Sequence, residues 1–200
     1  MSAELIPYIT EARPDTGLTN GKIGIWCFLA SEVMLFGAFF ASYIVLRMTS
    51  DHWPHGFEVP LNIPLATVNT VVLISSSVTM VMAWASLLRD DMAKYRLFLG
   101  LTVAFGFCFL GIKYVEYSAK FEHGLLPSKN NFLAIYFIMT GLHGLHVIGG
   151  MISNAYFLFA APSYLEHDRQ LLINRVENSG LFWHFVDLVW IFLFPILYLL

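Results

Sequence analysis

Charge is what this 200-residue chain has least of. Asp, Glu, Lys and Arg make up 12% of it, about half the share of a soluble domain. The formal net charge is only −3, which offers nothing to a nucleic-acid partner. Cysteine is also scarce. Cys27 and Cys108 both lie inside apolar stretches, with no CxxC and no Cys/His pair at zinc spacing. That implies no disulfide framework and no thiolate metal site, and reads as two small buried side chains. Residues 1–22 carry Glu4, Glu11, Arg13, Asp15 and Lys22 and lack the apolar core and cleavage site of a secretory signal. Period-2 alternation is missing, which excludes a membrane β-barrel. No strong internal repeat gives support to an inverted-repeat transporter.

What the chain does have is apolar length. It is 58% hydrophobic, with a mean hydropathy of +0.67. The class is all-α: a polytopic membrane protein in one domain. After an N-terminal segment over 1–22, the membrane domain over 23–200 holds five runs of about 18 residues or more. They fall at 23–48, 64–88, 96–118, 131–161 and 179–200. Each is expected to be a helix, because backbone groups in lipid must bond within their own segment. Turn-forming and charged residues mark the breaks. The first holds Pro54, Gly56, Pro60 and Pro64, the second Arg89, Asp90, Asp91, Lys94 and Arg96. KFEHGLLPSKNN forms the third and APSYLEHDRQLLINRVENS the fourth. The fourth run is 31 residues long, so tilt or a helical extension beyond the bilayer is expected.

Arg13, Lys22, Arg89, Lys94, Arg96, Arg169 and Arg175 fall on one side of the membrane, against Arg47, Lys120 and Lys129 on the other. Positive-inside then places the N-terminus in the cytoplasm and the C-terminus outside. Trp26, Trp84 and Trp183 fall near cytoplasmic helix ends and suit an aromatic belt.

A few ionisable side chains sit inside the runs. Glu32 lies about ten residues into the first, at a depth where insertion scales charge roughly 2.5–3.5 kcal/mol. It has no basic neighbour in its own helix, so its partner must come from another, and the histidines of the last two helices are the candidates. It reads either as a neutral acid bonded between helices or as a proton-responsive group. Gly37 and Ala41 in the same helix suit close packing. Lys113 and Glu116 stand i, i+3 on the third helix and are expected to pair near its outer end, the lysine stem snorkelling; contact with a partner subunit or a lipid headgroup is the alternative. His143 and His146 lie in GLHGLHVIGG. HxxH can supply metal or haem ligands, but Gly141, Gly144, Gly149 and Gly150 favour close helix approach with histidines bonding across it. His184 and Asp187, in WHFVDLVW, can satisfy each other, bind a lipid headgroup or hold a neighbouring helix. Trp183, Asp187 and Trp190 share a face, expected to pack on protein.

Taken in order, WCFLASEVMLFGAFFASY, FIMTGLHGLHVIGG and NSGLFWHFVDLVWIFLFPILYL resemble subunit III of the haem–copper terminal oxidases. Lys113–Glu116–Tyr117 adds to the resemblance, which covers residues 20–200. It implies a non-catalytic subunit of an enzyme that reduces oxygen to water while pumping protons, a cytochrome c oxidase, in a bacterial inner membrane. This chain then binds no cofactor of its own. Haem and copper belong to partner subunits, subunit I is the main partner, and subunit II and other respiratory subunits are further partners. The resemblance also implies a stabilising role toward subunit I and support of proton uptake. It makes Glu32 the family's carbodiimide-reactive carboxylate, and His143, His146, His184 and Asp187 its later polar positions. Family members bind phospholipid in a cleft between two helix groups. This chain has five helices where many members have seven, like the shorter bacterial form lacking the first two. Those two build one wall of the cleft, so the longer form's lipid sites do not carry over directly.

Quinol oxidase subunit III and an accessory protein of nitric oxide reductase are the neighbouring alternatives. A stand-alone membrane metalloenzyme using Glu32, His143, His146, His184 and Asp187 is a remote one; it lacks the Glu-x-x-His pair of di-iron bundles. A proton-coupled transporter is disfavoured by the few inner charges and the lack of a broken-helix pair.

Overall fold

A computed structural model describes residues 10–50, 53–54 and 61–199. Gly56 and Pro60 of the first break lie outside the described residues. Five long helices follow one another: α1 (Asn20–Thr49), α2 (Ile63–Leu88), α3 (Met92–Glu122), α4 (Asn131–His167) and α5 (Arg169–Phe194). A π-helical turn, Pro195–Leu199, continues α5. All five are long and apolar enough to cross a membrane, and no strand occurs among the described residues. The chain is a multi-pass all-α membrane protein.

Each helix starts on a side chain that accepts from its first turn. Thr19, Asn62, Asp91, Asn130 and Asp168 take the N–H of Lys22, Leu65, Lys94, Leu133 and Leu171 at 2.7–3.3 Å. Such caps contribute about 1 kcal/mol each. The bond from Lys94 and the backbone N–H groups around it hold the Asp91 carboxyl below its usual range. Gly124, at φ 63°, closes α3. It bonds Phe121 O while Leu125 N reaches Lys120 O, a C-terminal motif that needs the left-handed conformation.

The helices run past the apolar segments that define them. α4 spans 37 residues, about 55 Å at 1.5 Å per residue against a hydrocarbon layer of about 30 Å. The stretch 162–178, read from the sequence as a break, is helical except at Asp168. Its polarity marks emergence into water, not the end of a helix. One non-helical residue, capping the next helix, makes the turn. Pro162 gives up only its own N–H, and α4 continues through it.

α5 is the hub, packed on α1, α2 and α4; α2 pairs with α3, and α3 with α4. α1 is peripheral. It buries Leu29, Phe36 and Tyr43, each seven residues from the last, so one narrow seam docks it. Gly37 and Ala41 face outward, and their expected close packing does not occur among the described residues. At one end of the bundle Lys22 pairs with Glu177 at 2.5 Å. There Arg169 also bridges to Asp90 at 3.2 Å and donates to Leu87 O at 2.8 Å.

Three expectations about packing are corrected. Cys27 and Cys108 are exposed; in lipid an apolar side chain needs no protein cover. Trp183 is not an interface anchor. It is fully buried, its indole N–H donating to Ser76 Oγ at 3.1 Å. Of the four glycines in the α4 motif only Gly150 is a close approach, where an added Cβ would lie 2.7 Å from the Trp183 ring. Gly144 and Gly149 face open space.

Candidate functional site

Two polar centres occupy the helical bundle. In the first, Glu32 from α1 meets His146 from α4, with 2.9 Å between Oε2 and Nε2. His146 Nδ1 lies 2.8 Å from the carbonyl of Leu142. A carbonyl oxygen only accepts, so Nδ1 carries a hydrogen. Nε2 is then a lone pair if the ring is neutral, and the contact needs a proton from the Glu32 carboxyl. If the ring is charged, Nε2 donates to a carboxylate. Either way one proton lies between the two atoms, and removing it leaves a lone pair against an anion. Phe36 lies edge-on to the imidazole at 5.3 Å, and Phe182 lies at 6.2 Å. These rings flank the contact, and the Glu32 and His146 side chains keep 13% and 14% exposure. The partner expected on a later helix is therefore His146, and not His143 or His184.

His143 and His146 stand on one helix but in different settings. His143 is fully buried, and neither ring nitrogen has a hydrogen-bond partner among the described residues. It stacks on Trp190 (5.3 Å, 28°) and lies edge-on to Phe109 at 5.6 Å. The expected bond across helices is replaced by ring packing. His184 and Asp187 do not satisfy each other. His184 Nδ1 bonds Ser77 Oγ of α2 at 2.7 Å, and the buried Asp187 carboxyl faces the same serine without a well-formed hydrogen bond. The shared face of Trp183, Asp187 and Trp190 is packed on protein, each 4% exposed or less.

The second centre is an ion cluster where α3 ends. Lys113 and Glu116 pair at 2.9 Å, but the lysine does not snorkel. Lys113 is 8% exposed and Glu116 5%. The ammonium turns inward, donating to Tyr198 OH at 2.7 Å and Tyr136 OH at 3.4 Å, with the Trp190 ring 4.8 Å away. Lys120, also buried, reaches Glu116 Oε1 at 3.0 Å. Tyr136 and Tyr198 donate to that same oxygen at 2.8 and 2.7 Å. Phenols and indole faces take the place of water around the cation, which removes the reason to snorkel. From the sequence, Lys120 counts only as an outer-side charge. The i+4 spacing of Lys120 from Glu116 was a readable signal; the two tyrosines, from α4 and the π-helical turn, gave none.

Of Glu32, His143, His146, His184 and Asp187, Glu32 and His146 meet, while the other three lie in different settings. No group of three His, Cys, Asp or Glu converges among the described residues. The Glu32–His146 pair can hold a proton within the membrane; the ion cluster can fix α3, α4 and the C-terminal turn to one another.

A family profile for cytochrome c oxidase subunit III matches residues 13–200. The chain is 36% identical over 181 residues to cytochrome c oxidase subunit 3 of Thermostichus vulcanus, covering 89% of this chain and 86% of that one. It is 30% identical over 210 residues to the subunit of the same name from Bacillus sp. strain PS3, covering 100% and 95%. With cytochrome bo(3) ubiquinol oxidase subunit 3 of Pseudomonas aeruginosa it shares 31% over 181 residues, covering 90% and 85%.

Proposed function

The chain belongs to the cytochrome c oxidase subunit III family, as a subunit III of an oxygen-reducing haem–copper oxidase complex, and we propose that its part there is modulatory. It packs on subunit I, stabilises it and supports proton uptake during turnover. Haem, copper and the oxygen chemistry reside in the partner subunits, with subunit II among them. The membrane is the bacterial inner membrane, with the N-terminus cytoplasmic and the C-terminus outside. The seven-to-three distribution of Lys and Arg supports that orientation.

The single observation behind this reading is the Glu32–His146 contact at 2.9 Å. A carboxyl and an imidazole that hold one proton at membrane depth can exchange it with a neighbouring water chain without any redox centre of their own. Two features support docking on another subunit. α1 is held by one seam and presents Gly37, Ala38 and Ala41 outward, and small residues let a foreign helix approach closely. In this reading Asp187, His143 and His184 brace α5 against α2 and α4 and carry no proton traffic.

The oxidase we infer draws electrons from cytochrome c, as the names of the 36% and 30% relatives indicate for those proteins. The ubiquinol oxidase relative at 31% supports quinol as a second reading. The subunit II that copurifies with this chain distinguishes them. For the modulatory role, the test is the oxidase complex with and without this subunit. Its absence is expected to leave the initial oxygen-reduction rate unchanged and to slow proton uptake or shorten turnover lifetime. Equal proton uptake and lifetime overturn the reading.

A further inference from the structure

Among the described residues the ion cluster holds more positive charge than it neutralises, because Glu116 is the one carboxylate bonded to the ammonium groups of both Lys113 and Lys120. Lys113 is saturated: its three N–H groups meet Glu116, Tyr198 and Tyr136. Lys120 has one acceptor, Glu116 Oε1, among the described residues, although it is only 4% exposed. The surplus charge therefore resides on Lys120.

Lys120 lines a groove of about 430 Å³ between α2, the end of α3 and the turn after it. Leu61, Leu65, Val115 and Leu125 form its walls, and its polar atoms come from Asn62, Glu116, Lys120 and His123. It lies where the helices leave the membrane: α2 begins at Ile63, and α3 ends at Glu122, two residues beyond Lys120. An amphiphile at that depth has its headgroup level with Lys120 and its chains level with the leucines.

We propose that this groove binds one anionic phospholipid, with its phosphate on the Lys120 ammonium and an acyl chain along Leu61, Leu65 and Val115. The surplus is a single positive charge, so a net anion complements it, whereas a zwitterionic headgroup brings a cation of its own. The aliphatic walls select an anion that carries a tail over a soluble one. Basic sites between membrane helices recognise anionic lipids by this combination of charge and depth.

The test is native mass spectrometry of the full chain in detergent, titrated with phosphatidylglycerol or phosphatidylcholine. Four forms are compared: the unmodified chain, Lys120→Met, Leu65→Trp and Lys94→Met. Lys120→Met removes the charge at similar length. Leu65→Trp fills the groove and leaves the cluster intact, so it carries the test if the first variant folds poorly. Lys94 is an exposed lysine at the other end of α3 and serves as the control. The expected result is one phosphatidylglycerol held preferentially by the unmodified chain and by Lys94→Met, and bound about five- to tenfold more weakly by the other two. Equal retention of phosphatidylglycerol by all four forms overturns the proposal. So does equal retention of phosphatidylcholine by the unmodified chain, or equally tight binding of soluble glycerol phosphate. Carboxyl-to-amine cross-linking of Lys120 to another subunit in the intact oxidase also overturns it, by assigning the groove to protein.

Discussion

Glu32 and His146 face each other across the α1–α4 boundary at 2.9 Å, while the other imidazole nitrogen is committed to Leu142 O. That second bond gives the first its meaning, because it fixes which nitrogen is available and so requires a proton between the two side chains.

Glu32→Gln keeps a donor toward His146 Nε2 but cannot release a proton. The fold is expected to lose no more than about 1 kcal/mol, while proton uptake by the oxidase complex slows or its turnover lifetime shortens. Glu32→Ala leaves the imidazole without its partner and is expected to lower stability by about 1–3 kcal/mol. Denaturant unfolding of the purified chain and lifetime measurements on the complex check the two halves. Unchanged lifetime and proton uptake in the Gln form sink the proton-responsive role.

Glu116→Gln leaves two buried ammonium groups without a carboxylate. Breaking a buried pair from one side costs about 3–5 kcal/mol, and this hub serves two pairs. Tyr198→Phe removes a phenol that both accepts from Lys113 and donates to Glu116, for about 1–3 kcal/mol. Unfolding midpoints of the two variants should therefore rank Gln below Phe. The reverse order places the main strength of the cluster in the phenols.

At Gly150 an added methyl group lies 2.7 Å from the buried Trp183 ring. Gly150→Ala is expected to lower stability by about 1–3 kcal/mol through overpacking. Its neighbour Gly149 has open space, and Gly149→Ala is expected to be neutral or to stabilise α4 by up to about 1 kcal/mol. The pair of unfolding curves reads the difference directly.

His143→Phe keeps a ring against Trp190 and Phe109 and removes two buried nitrogens without partners. Replacing an unsatisfied polar group by an apolar one of similar shape is expected to be neutral or stabilising. A large loss of stability, or a loss of proton uptake with the fold intact, means that His143 has a polar task that ring packing does not explain.

Much of the fold was legible because the bilayer restricts it so strongly. Runs of about 20 apolar residues have one stable form in lipid, so five runs gave five helices. Helix ends were less legible. A polar stretch such as 162–178 reads the same whether the chain turns or stays helical in water, and only the Asp168 cap marks the break. Within the candidate site, the sequence pointed to Glu32 and its need for a partner on a later helix. It misread Lys113, because snorkelling and inward burial begin from the same residues and differ only in what lies opposite.

The sequence by itself determined the membrane class, the five spans and the positions of the ionisable groups, since each follows from hydropathy and spacing along one helix. Tertiary structure decided the partners. Glu32 and His146 are 114 residues apart, and Lys113 and Tyr198 are 85 apart. Helical periodicity specifies which residues share a face, but not the rotation and offset at which two helices meet. Those are fixed by side-chain packing around α5, and they determine that His146 bonds, His143 stacks and Lys120 is left with charge to spare.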